Sequence, residues 1–512
     1  SRNYSAHRFS HPSIRFRVAE PPRFLPRASQ ATDMATIAPA MPVLFTVLLA
    51  FAAHFSVAFH VDEEDGPYTV KLKRQQIPLH SRGGVVQHKS AYHGRITIGS
   101  PSPQVMDVVF DTGSGHLVLP STWCKSPTCI KHKRYNRKSS MTSVDIDADG
   151  LKVLLGMPRD QITVSYGTGE ITGVFVRDQV CLGNGERVAE PDRKKTPGSS
   201  LLQMKTTSLQ KVSNNGFGFV EDNVETAAVH GCATVQMVAT TQMTEDPFSS
   251  FEFDGVFGLG LTGLSQTKDF NVFNVLANAR AFKAMPGFER TFSVFLGRTS
   301  EESVITFGGY MPERLLESNF VWHHVDEPGH GYWQIKVFNI IMDGVKSDYC
   351  DDGTCRAVVD TGTSLLAVPS SLGRTLVNNL RSVSKSGQVC DTEVPALEIE
   401  LGNITVELTP SDIGRPEFIR DVHEQPNEQS ESSENDMDKG HVEKTMYRSI
   451  GTSCVPMVMF LDLPEPLSKK TLILGEPILQ KYYAAFNLDV SAPSIGMALS
   501  KHTAPKEALR IR

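Results

Sequence analysis

The 512-residue chain has no large excess of charge of either sign. Lysine and arginine total 51 residues and aspartate and glutamate total 57, which leaves a formal net charge of −6. Proteins that bind nucleic acid carry basic patches or an overall basic charge, so this balance argues against a nucleic-acid partner. The last residues of the sequence, 501–512, contain no long apolar run, so we expect no membrane anchor there.

Two sequence patterns of cofactor and metal sites are also missing. The chain contains 39 glycines, but no predicted strand leads through Gly-x-Gly-x-x-Gly directly into a helix, the arrangement that holds a dinucleotide. No two cysteines have the Cys-x-x-Cys spacing that is usual in zinc sites. We therefore expect neither a cofactor nor a metal ion.

The most informative feature that is present is a short motif that occurs twice. Residues 108–114 (VVFDTGS) and 357–364 (AVVDTGTS) each place Asp-Thr-Gly behind three apolar residues that predict a buried strand. A single Asp-Thr-Gly is more often a structural turn than a catalytic one. Two copies in matching contexts indicate an internal duplication.

The duplication extends beyond the two motifs. Residues 254–260 (DGVFGLG) follow the first copy and residues 472–476 (LILGE) follow the second, so each half has another apolar segment with a glycine. We interpret the chain as two similar lobes, each presenting one aspartate, Asp111 or Asp360, at the end of a strand.

The rest of the sequence predicts a mainly β protein. Short alternating runs broken by glycine and proline, such as residues 161–166, are typical of strands. Helical stretches are few, with candidates at 271–282 and 371–383. Polar segments at 184–216 and 415–444 lack any apolar period and are predicted to be loops inserted into this fold.

The first 58 residues predict targeting rather than a folded domain. Residues 1–33 are an arginine-rich leader of uncertain origin. Residues 34–58 contain an apolar run followed by small residues, the pattern of a signal peptide. A membrane anchor formed by residues 42–59 is the alternative, although the apolar run is short for a membrane span.

Residues 59–87 are polar and of mixed charge, and two interpretations stay open. They form either a solvated linker or a pro-segment of a zymogen. In the second case three clustered cations, Lys71, Lys73 and Arg74, would cover an acidic site and be released from it in acid.

Two facing aspartates are able to hydrolyse an amide bond. Carboxylates in hydrogen-bond contact cannot both ionise easily, so the pair shares one proton. The ionised partner takes a proton from water, while the protonated partner polarises the carbonyl and later helps to protonate the leaving amine. This chemistry needs neither a covalent intermediate nor a metal ion.

The residues that follow each aspartate suit this task. The glycine lets backbone N–H groups approach the carboxylate closely. We expect the first threonine of each copy to tie the two turns together, and the next hydroxyl to hydrogen-bond the outer carboxylate oxygen. These supporting residues are Thr112, Gly113, Ser114, Thr361, Gly362 and Thr363.

With these motifs the sequence resembles the pepsin-like aspartic proteases, with cathepsin D and the plasmepsins among the relatives. The resemblance extends from about residue 88 to residue 500, as an N-terminal lobe at 88–300 and a C-terminal lobe at 301–500, followed by a tail at 501–512. Besides the two Asp-Thr-Gly motifs it rests on residues 166–169 (YGTG), 253–258 (FDGVFG), 331–335 (GYWQI), 473–475 (ILG) and 482–483 (YY).

The resemblance implies a bilobal fold of two duplicated β-barrel-like lobes with the active-site cleft between them. It implies that Asp111 and Asp360 form the catalytic dyad of an aspartic endopeptidase that works in acid. A hairpin flap with Tyr166, Gly167 and Thr168 at its tip would close on an extended polypeptide substrate. We expect a monomer of the secretory pathway, either secreted or held in a lysosome- or vacuole-like acidic compartment.

The eight cysteines form an even set behind a predicted signal peptide, which favours disulfides. Zinc bound by the first close pair, with His132 beyond it, is the alternative there. The resemblance implies the bonds Cys124–Cys129, Cys350–Cys355 and Cys390–Cys454. We infer separately that Cys181 and Cys232, which flank the first insertion, pair with each other.

Some positions depart from the family pattern. Val118 stands where the family usually has a tryptophan hydrogen-bonded to the flap tyrosine, and we expect the nearby His116 to be a partly exposed loop residue. Glu476 stands where many relatives have aspartate. Both motifs are intact, which favours an active enzyme over an inactive relative that binds peptides. Asn403 begins the one glycosylation sequon of the catalytic region.

Overall fold

The computed structural model describes residues 67–80, 86–154, 156–166, 169–183, 231–283, 287–298, 301–317, 319–383, 396–422, 447–489 and 492–503. These residues belong to one of two units of the chain, the one that comprises Ser1–Ser5 and Asp65–Arg512; the other is Ala6–Glu64. The predicted leader, signal peptide and membrane anchor lie outside the described residues, as do the first insertion, most of the second, Gly167, Thr168 and Cys390.

The first half of the described chain consists mainly of strands, as predicted. Three of its short strands, at residues 117–120, 255–258 and 291–295, are buried at every residue, as expected for strands covered on both faces. The strands are β1 (Tyr68–His80), β2 (Val86–Ile98), β3 (Gln104–Asp111), β4 (Leu117–Pro120), β5 (Val144–Asp145), β6 (Gln161–Tyr166), β7 (Gly169–Leu182), β8 (Cys232–Met243), β9 (Gly255–Gly258) and β10 (Thr291–Phe295).

The second half continues with short strands that are separated by turns. They are β11 (Ser303–Phe307), β12 (Val321–His324), β13 (Gln334–Lys336), β14 (Asn339–Met342), β15 (Val345–Lys346), β16 (Arg356–Val359), β17 (Leu366–Val368), β18 (Leu397–Glu400), β19 (Thr405–Leu408), β20 (Gly414–Val422), β21 (Tyr447–Pro456), β22 (Val458–Phe460), β23 (Thr471–Leu474), β24 (Tyr482–Asn487) and β25 (Ser494–Leu499).

The helices are short and lie between the strands. They are α1 (Pro127–Lys131), α2 (Val272–Asn278), α3 (Arg280–Lys283), α4 (Ser370–Val383), α5 (Pro410–Ile413) and α6 (Glu476–Lys481). The side chain of Asn271 caps α2 by accepting a hydrogen bond from the backbone of Asn274. The two helical stretches predicted from the sequence are confirmed, the first as two consecutive helices.

The same five-strand arrangement occurs in both halves and confirms the duplication. The strand order is β2-β3-β9-β4-β8 in the first half and β13-β16-β23-β17-β22 in the second. In each half the strand that leads to the aspartate pairs in parallel with the strand of the supporting segment. That supporting strand then pairs antiparallel with the next strand, which pairs in parallel with the outermost one.

A single sheet joins the two halves. Its order is β12-β25-β24-β10-β11-β1-β2-β3-β9-β4-β8-β7-β5, with β6 paired to β7. β1 lies in the middle, paired with β11 on one side and with β2 on the other. The side chains of Val70 and Leu72 are buried there, so part of the predicted linker or pro-segment is a central strand.

The aromatic core is continuous between the halves. The ring of Phe292 stacks 4.7 Å from the ring of Phe486 and meets Trp333 edge-on at 5.9 Å. Trp333 is fully buried, and its indole N–H donates to the backbone oxygen of Leu259, 2.8 Å away, directly after β9. This bond connects the approach to the second motif with the support of the first.

The structure forms the disulfides Cys124–Cys129, Cys181–Cys232 and Cys350–Cys355. Because the sulfurs of the first pair bond each other, the zinc alternative does not apply to them. Cys181 and Cys232 are direct partners across β7 and β8, at the base of the first insertion. The Cys390–Cys454 bond stays a prediction, because Cys390 lies outside the described residues. Within the described ranges, no helix has the length and apolar character of a membrane span.

Candidate active site

The first Asp-Thr-Gly turn begins at the last residue of β3. The parallel pairing with β9 sets Asp111 beside Gly258. The backbone nitrogen of Gly113 donates to Asp111 Oδ1 at 2.9 Å, and the nitrogen of Leu259 donates to the Asp111 backbone oxygen at 2.7 Å. The turn therefore holds the Asp111 carboxylate, and the supporting segment holds the Asp111 backbone.

The second turn repeats this geometry after β16. The backbone nitrogen of Asp360 donates to Leu474 at 3.1 Å, and the nitrogen of Gly362 donates to Asp360 Oδ1 at 2.9 Å. The hydroxyl of Thr363 donates to Asp360 Oδ2 at 2.6 Å. Its counterpart Ser114 makes no side-chain hydrogen bond of standard geometry with any described residue.

The two threonines interlock across the junction of the turns. The backbone nitrogen of Thr112 donates to Thr361 Oγ1 at 3.1 Å, and the nitrogen of Thr361 donates to Thr112 Oγ1 at 3.0 Å. Each hydroxyl then donates onward to the opposite strand, Thr112 to the oxygen of Val359 at 2.9 Å and Thr361 to that of Phe110 at 2.6 Å. These reciprocal bonds fix the relative position of the turns.

The turns bring the two carboxylates together. A Cβ atom placed on Gly362 would lie 2.3 Å from Asp111 Oδ1, and one placed on Gly113 would lie 3.0 Å from both carboxylate oxygens of Asp360. Each glycine thus contacts the carboxylate of the other half. Burial is the largest cause of a raised pKa at Asp111, and the neighbouring Asp360 raises it further.

The flap tyrosine predicted from the sequence lies at the end of β6, where Tyr166 pairs with Gly169 of β7. Its ring meets Phe248 edge-on, with centroids 6.3 Å apart, and its buried hydroxyl has no hydrogen-bond partner of standard geometry among the described residues. Burial and the nearby Asp111 raise the pKa of Tyr166. Tyr166 and Val118 line the same small apolar pocket. Because a valine side chain has no polar atom, Val118 cannot form the hydrogen bond that a tryptophan would form with the phenol.

The expectation that His116 is partly exposed is wrong. Its side chain is buried, and Nε2 accepts a hydrogen bond from the backbone nitrogen of Gln266 at 2.9 Å. Its ring also meets Phe270 edge-on. Burial lowers the pKa of His116 to about 4, so the ring is a neutral acceptor over most of the pH range.

Sequence reasoning missed one residue near the carboxylates, Tyr332. Burial raises the pKa of Tyr332, and the charges of Asp360 and Asp111 raise it further. The 331–335 segment, which contains Tyr332, was identified from the sequence only as part of the family resemblance. Nothing in that segment indicated that it lies near the two turns.

The three clustered cations of β1 contact glutamates rather than the two aspartates. Lys71 pairs with Glu302 at 2.9 Å and Lys73 with Glu252 at 2.6 Å, both at exposed positions. Arg74 Nη2 lies 2.6 Å from Glu476 Oε1, and that carboxylate is buried. In the part of the chain that the structure describes, no cluster of three or more histidine, cysteine or acidic side chains could hold a metal ion.

Comparisons with known proteins identify the family that the chain resembles. The model of the eukaryotic aspartyl protease family matches residues 91–189 and 194–419. Gastricsin of Cavia porcellus is 30% identical over 335 residues, which cover 63% of this chain and 67% of the relative. Gastricsin of Mus musculus is 26% identical over 419 residues (80% and 81%), and cathepsin E of Aquarana catesbeiana is 26% identical over 404 residues (77% and 76%).

The chain belongs to the eukaryotic aspartyl protease family, whose bilobal β fold it shares. It is an aspartic endopeptidase, a hydrolase that cleaves peptide bonds of polypeptides.

Proposed function

We propose that Asp111 and Asp360 are the catalytic dyad of this endopeptidase and share one proton. The ionised carboxylate takes a proton from a water molecule, whose oxygen adds to the carbonyl carbon of the scissile bond. The protonated carboxyl gives its proton to the carbonyl oxygen. When the tetrahedral intermediate collapses, the C–N bond breaks and the leaving amine takes up a proton from the protonated carboxyl. A hydroxyl of the intermediate returns a proton to the ionised carboxylate, so the pair again holds one proton.

One observation carries this proposal, the reciprocal approach of each glycine to the opposite carboxylate. Two carboxylates held this closely repel each other when both are ionised, so one proton stays with the pair at acidic pH. The interlocked threonines keep the pair in position without further movement during the reaction.

The substrate that fits this site is an extended polypeptide. Tyr166 would close over it from the flap, with Gly167 and Thr168 against the substrate backbone, and strand-like hydrogen bonds would hold the chain. The buried hydroxyl of Tyr166 supports this role, because none of the described residues accepts a hydrogen bond of standard geometry from it. We further propose that the enzyme works as a monomer.

The compartment follows from the chemistry and from the amino-terminal sequence. A dyad that shares a proton is best suited to an acidic medium, and residues 34–58 have the pattern of a signal peptide. We infer that the enzyme enters the secretory pathway and acts outside the cell or in a lysosome- or vacuole-like compartment. Disulfides in the described chain support an oxidising environment.

The test is cleavage of a denatured protein at acidic pH by Asp111→Asn and Asp360→Asn, each compared with Asp352→Asn. Asp352 is exposed and pairs with Lys470 away from the dyad, so its variant controls for the substitution itself. Each dyad variant should lower kcat by about 10² to 10⁴, as loss of a general acid or base does. A statine-type inhibitor should block the control. Undiminished cleavage by either dyad variant would overturn the proposal.

A further inference from the structure

We propose that Arg74 of β1 is a positioning residue for the second catalytic turn and acts through Glu476. This inference rests on the proposed role of Asp360. It assigns β1 to the working enzyme, in contrast to a pro-segment that inhibits the enzyme until it is removed.

The Arg74–Glu476 pair lies at a buried junction. Arg74 Nη2 is 2.6 Å from Glu476 Oε1, and the glutamate side chain is only 2% exposed. The hydroxyl of Tyr92 on β2 and the amide of Gln480 on α6 donate to the same oxygen at 2.9 and 3.1 Å. Arg415 of β20 approaches the other oxygen at 3.9 Å. These groups surround the carboxylate from β1, β2, α6 and β20.

Two hydrogen bonds through Thr363 connect the backbone of Glu476 with the carboxylate of Asp360. The backbone nitrogen of Glu476 donates to the oxygen of Thr363 at 2.9 Å, and the hydroxyl of Thr363 donates to Asp360 Oδ2 at 2.6 Å. Two residues earlier, Leu474 accepts from the backbone nitrogen of Asp360 at 3.1 Å. Movement of Glu476 would therefore move the group that orients the Asp360 carboxylate.

The first half provides an internal comparison. The strand registers place Gly258 beside Asp111 and Leu474 beside Val359, so Gly475 corresponds to Gly258 and Glu476 to Leu259. Leu259 is fully buried and apolar. The duplicated fold therefore accepts an apolar side chain at this position. In the second half the carboxylate of Glu476 stands there instead and forms the ion pair with Arg74.

The same strand supplies a matched control. Lys71 and Arg74 both lie on β1 and both pair with a glutamate, but Lys71 and Glu302 are exposed. An exposed pair contributes little, because water and salt screen it. Removing the cation that pairs with a buried carboxylate destabilises the folded protein around it, because the carboxylate charge remains out of contact with water.

The experiment compares Arg74→Met, Arg74→Lys and Lys71→Met in the full chain. We expect Arg74→Met to lower kcat about tenfold or more with KM within about twofold, because misplacing a reacting group by one ångström costs up to about a hundredfold. Arg74→Lys should restore part of kcat, and Lys71→Met should match the wild type.

A second variant keeps the test decisive if Arg74→Met does not fold. Arg74→Met combined with Glu476→Gln removes both charges, so it should fold and still show a lowered kcat. Wild-type kcat in Arg74→Met, or in the double variant, would overturn the inference. Activity of Arg74→Met at a neutral pH where the wild type is inactive would also overturn it and would indicate an inhibitory segment. Either result leaves the proposed dyad intact as long as Asp360→Asn remains inactive.

Discussion

At the residue scale, the site depends on two glycines that lie against carboxylates. A side chain on Gly362 would meet Asp111 Oδ1 at 2.3 Å and its Cγ at 2.8 Å. On Gly113 the corresponding contacts with Asp360 begin at 3.0 Å. The first separation is impossible without displacing the carboxylate, whereas the second requires a shift of only a few tenths of an ångström.

This difference predicts unequal effects of two equivalent substitutions. Gly362→Ala should lower kcat by about a hundredfold, as a displacement of the order of one ångström does, and Gly113→Ala should lower it less. Gly329→Ala is the control, because a Cβ there meets nothing within 4 Å. Steady-state kinetics on a peptide substrate would check the order. Equal activity of the Gly362→Ala and Gly329→Ala variants would contradict the geometry.

The sequence was informative about the turns and uninformative about their surroundings. The repeated Asp-Thr-Gly motif predicted that Thr112 and Thr361 tie the two turns together, because a duplication implies symmetric partners, and the structure contains these hydrogen bonds. His116 was misjudged because the groups that bury it, Gln266 and Phe270, come about 150 residues later. The pattern of residues next to His116 in the sequence gives no information about contacts with residues so far away along the chain.

At the element scale, the Cys181–Cys232 bond closes the strands β7 and β8 at the base of the first insertion. The bonded cysteines are 51 residues apart, whereas those of Cys124–Cys129 are five apart. In the chain-entropy description a disulfide stabilises by restricting the unfolded chain, and the effect grows with the length of the loop.

We therefore expect Cys181→Ala with Cys232→Ala to lower the free energy of unfolding by about 4 kcal/mol, and Cys124→Ala with Cys129→Ala by about 2 kcal/mol. Denaturant unfolding of the two double variants would measure both. The short-loop variant serves as the control for loss of a buried disulfide. A larger loss in the short-loop variant would show that native packing, rather than loop length, decides the effect.

The topology of these elements was partly readable from the sequence. Apolar strands before each aspartate and apolar segments ending in glycine predicted a duplication into two similar lobes. The five strands of each copy and their order come from the structure. The role of β1 was not readable, since its composition fits a linker and a pro-segment equally. Its partner β11 begins more than 200 residues later, and only the fold shows that residues 68–72 of β1 pair with β11 and residues 73–80 with β2.

At the scale of the whole molecule, the dyad connects stability with pH. Burial and the neighbouring Asp360 raise the pKa of Asp111. In the unfolded chain an aspartate loses its proton near pH 3.9, whereas the folded dyad holds a proton to higher pH. The stability that this proton contributes is present below the unfolded pKa and is lost as the pH rises through the folded pKa.

Asp111→Asn removes this dependence and should be more stable than the wild type near neutral pH. The difference in melting temperature between the variant and the wild type should be small at pH 3 and grow towards pH 7. Each unit of pKa difference is worth about 1.4 kcal/mol. Thermal unfolding at matched ionic strength would measure the difference, with Asp352→Asn as the control. A difference that stays constant with pH would exclude a raised pKa at Asp111.

The pH dependence of kcat/KM tests the central claim most directly, since it reports whether catalysis requires one proton on the pair. In very acidic solution both carboxyls are protonated and neither can activate water; at higher pH both are ionised and neither can protonate the carbonyl oxygen. We predict a bell-shaped profile with its maximum in acid and a fall towards neutral pH. A kcat/KM that rises steadily to pH 8 would contradict a dyad that works with a shared proton.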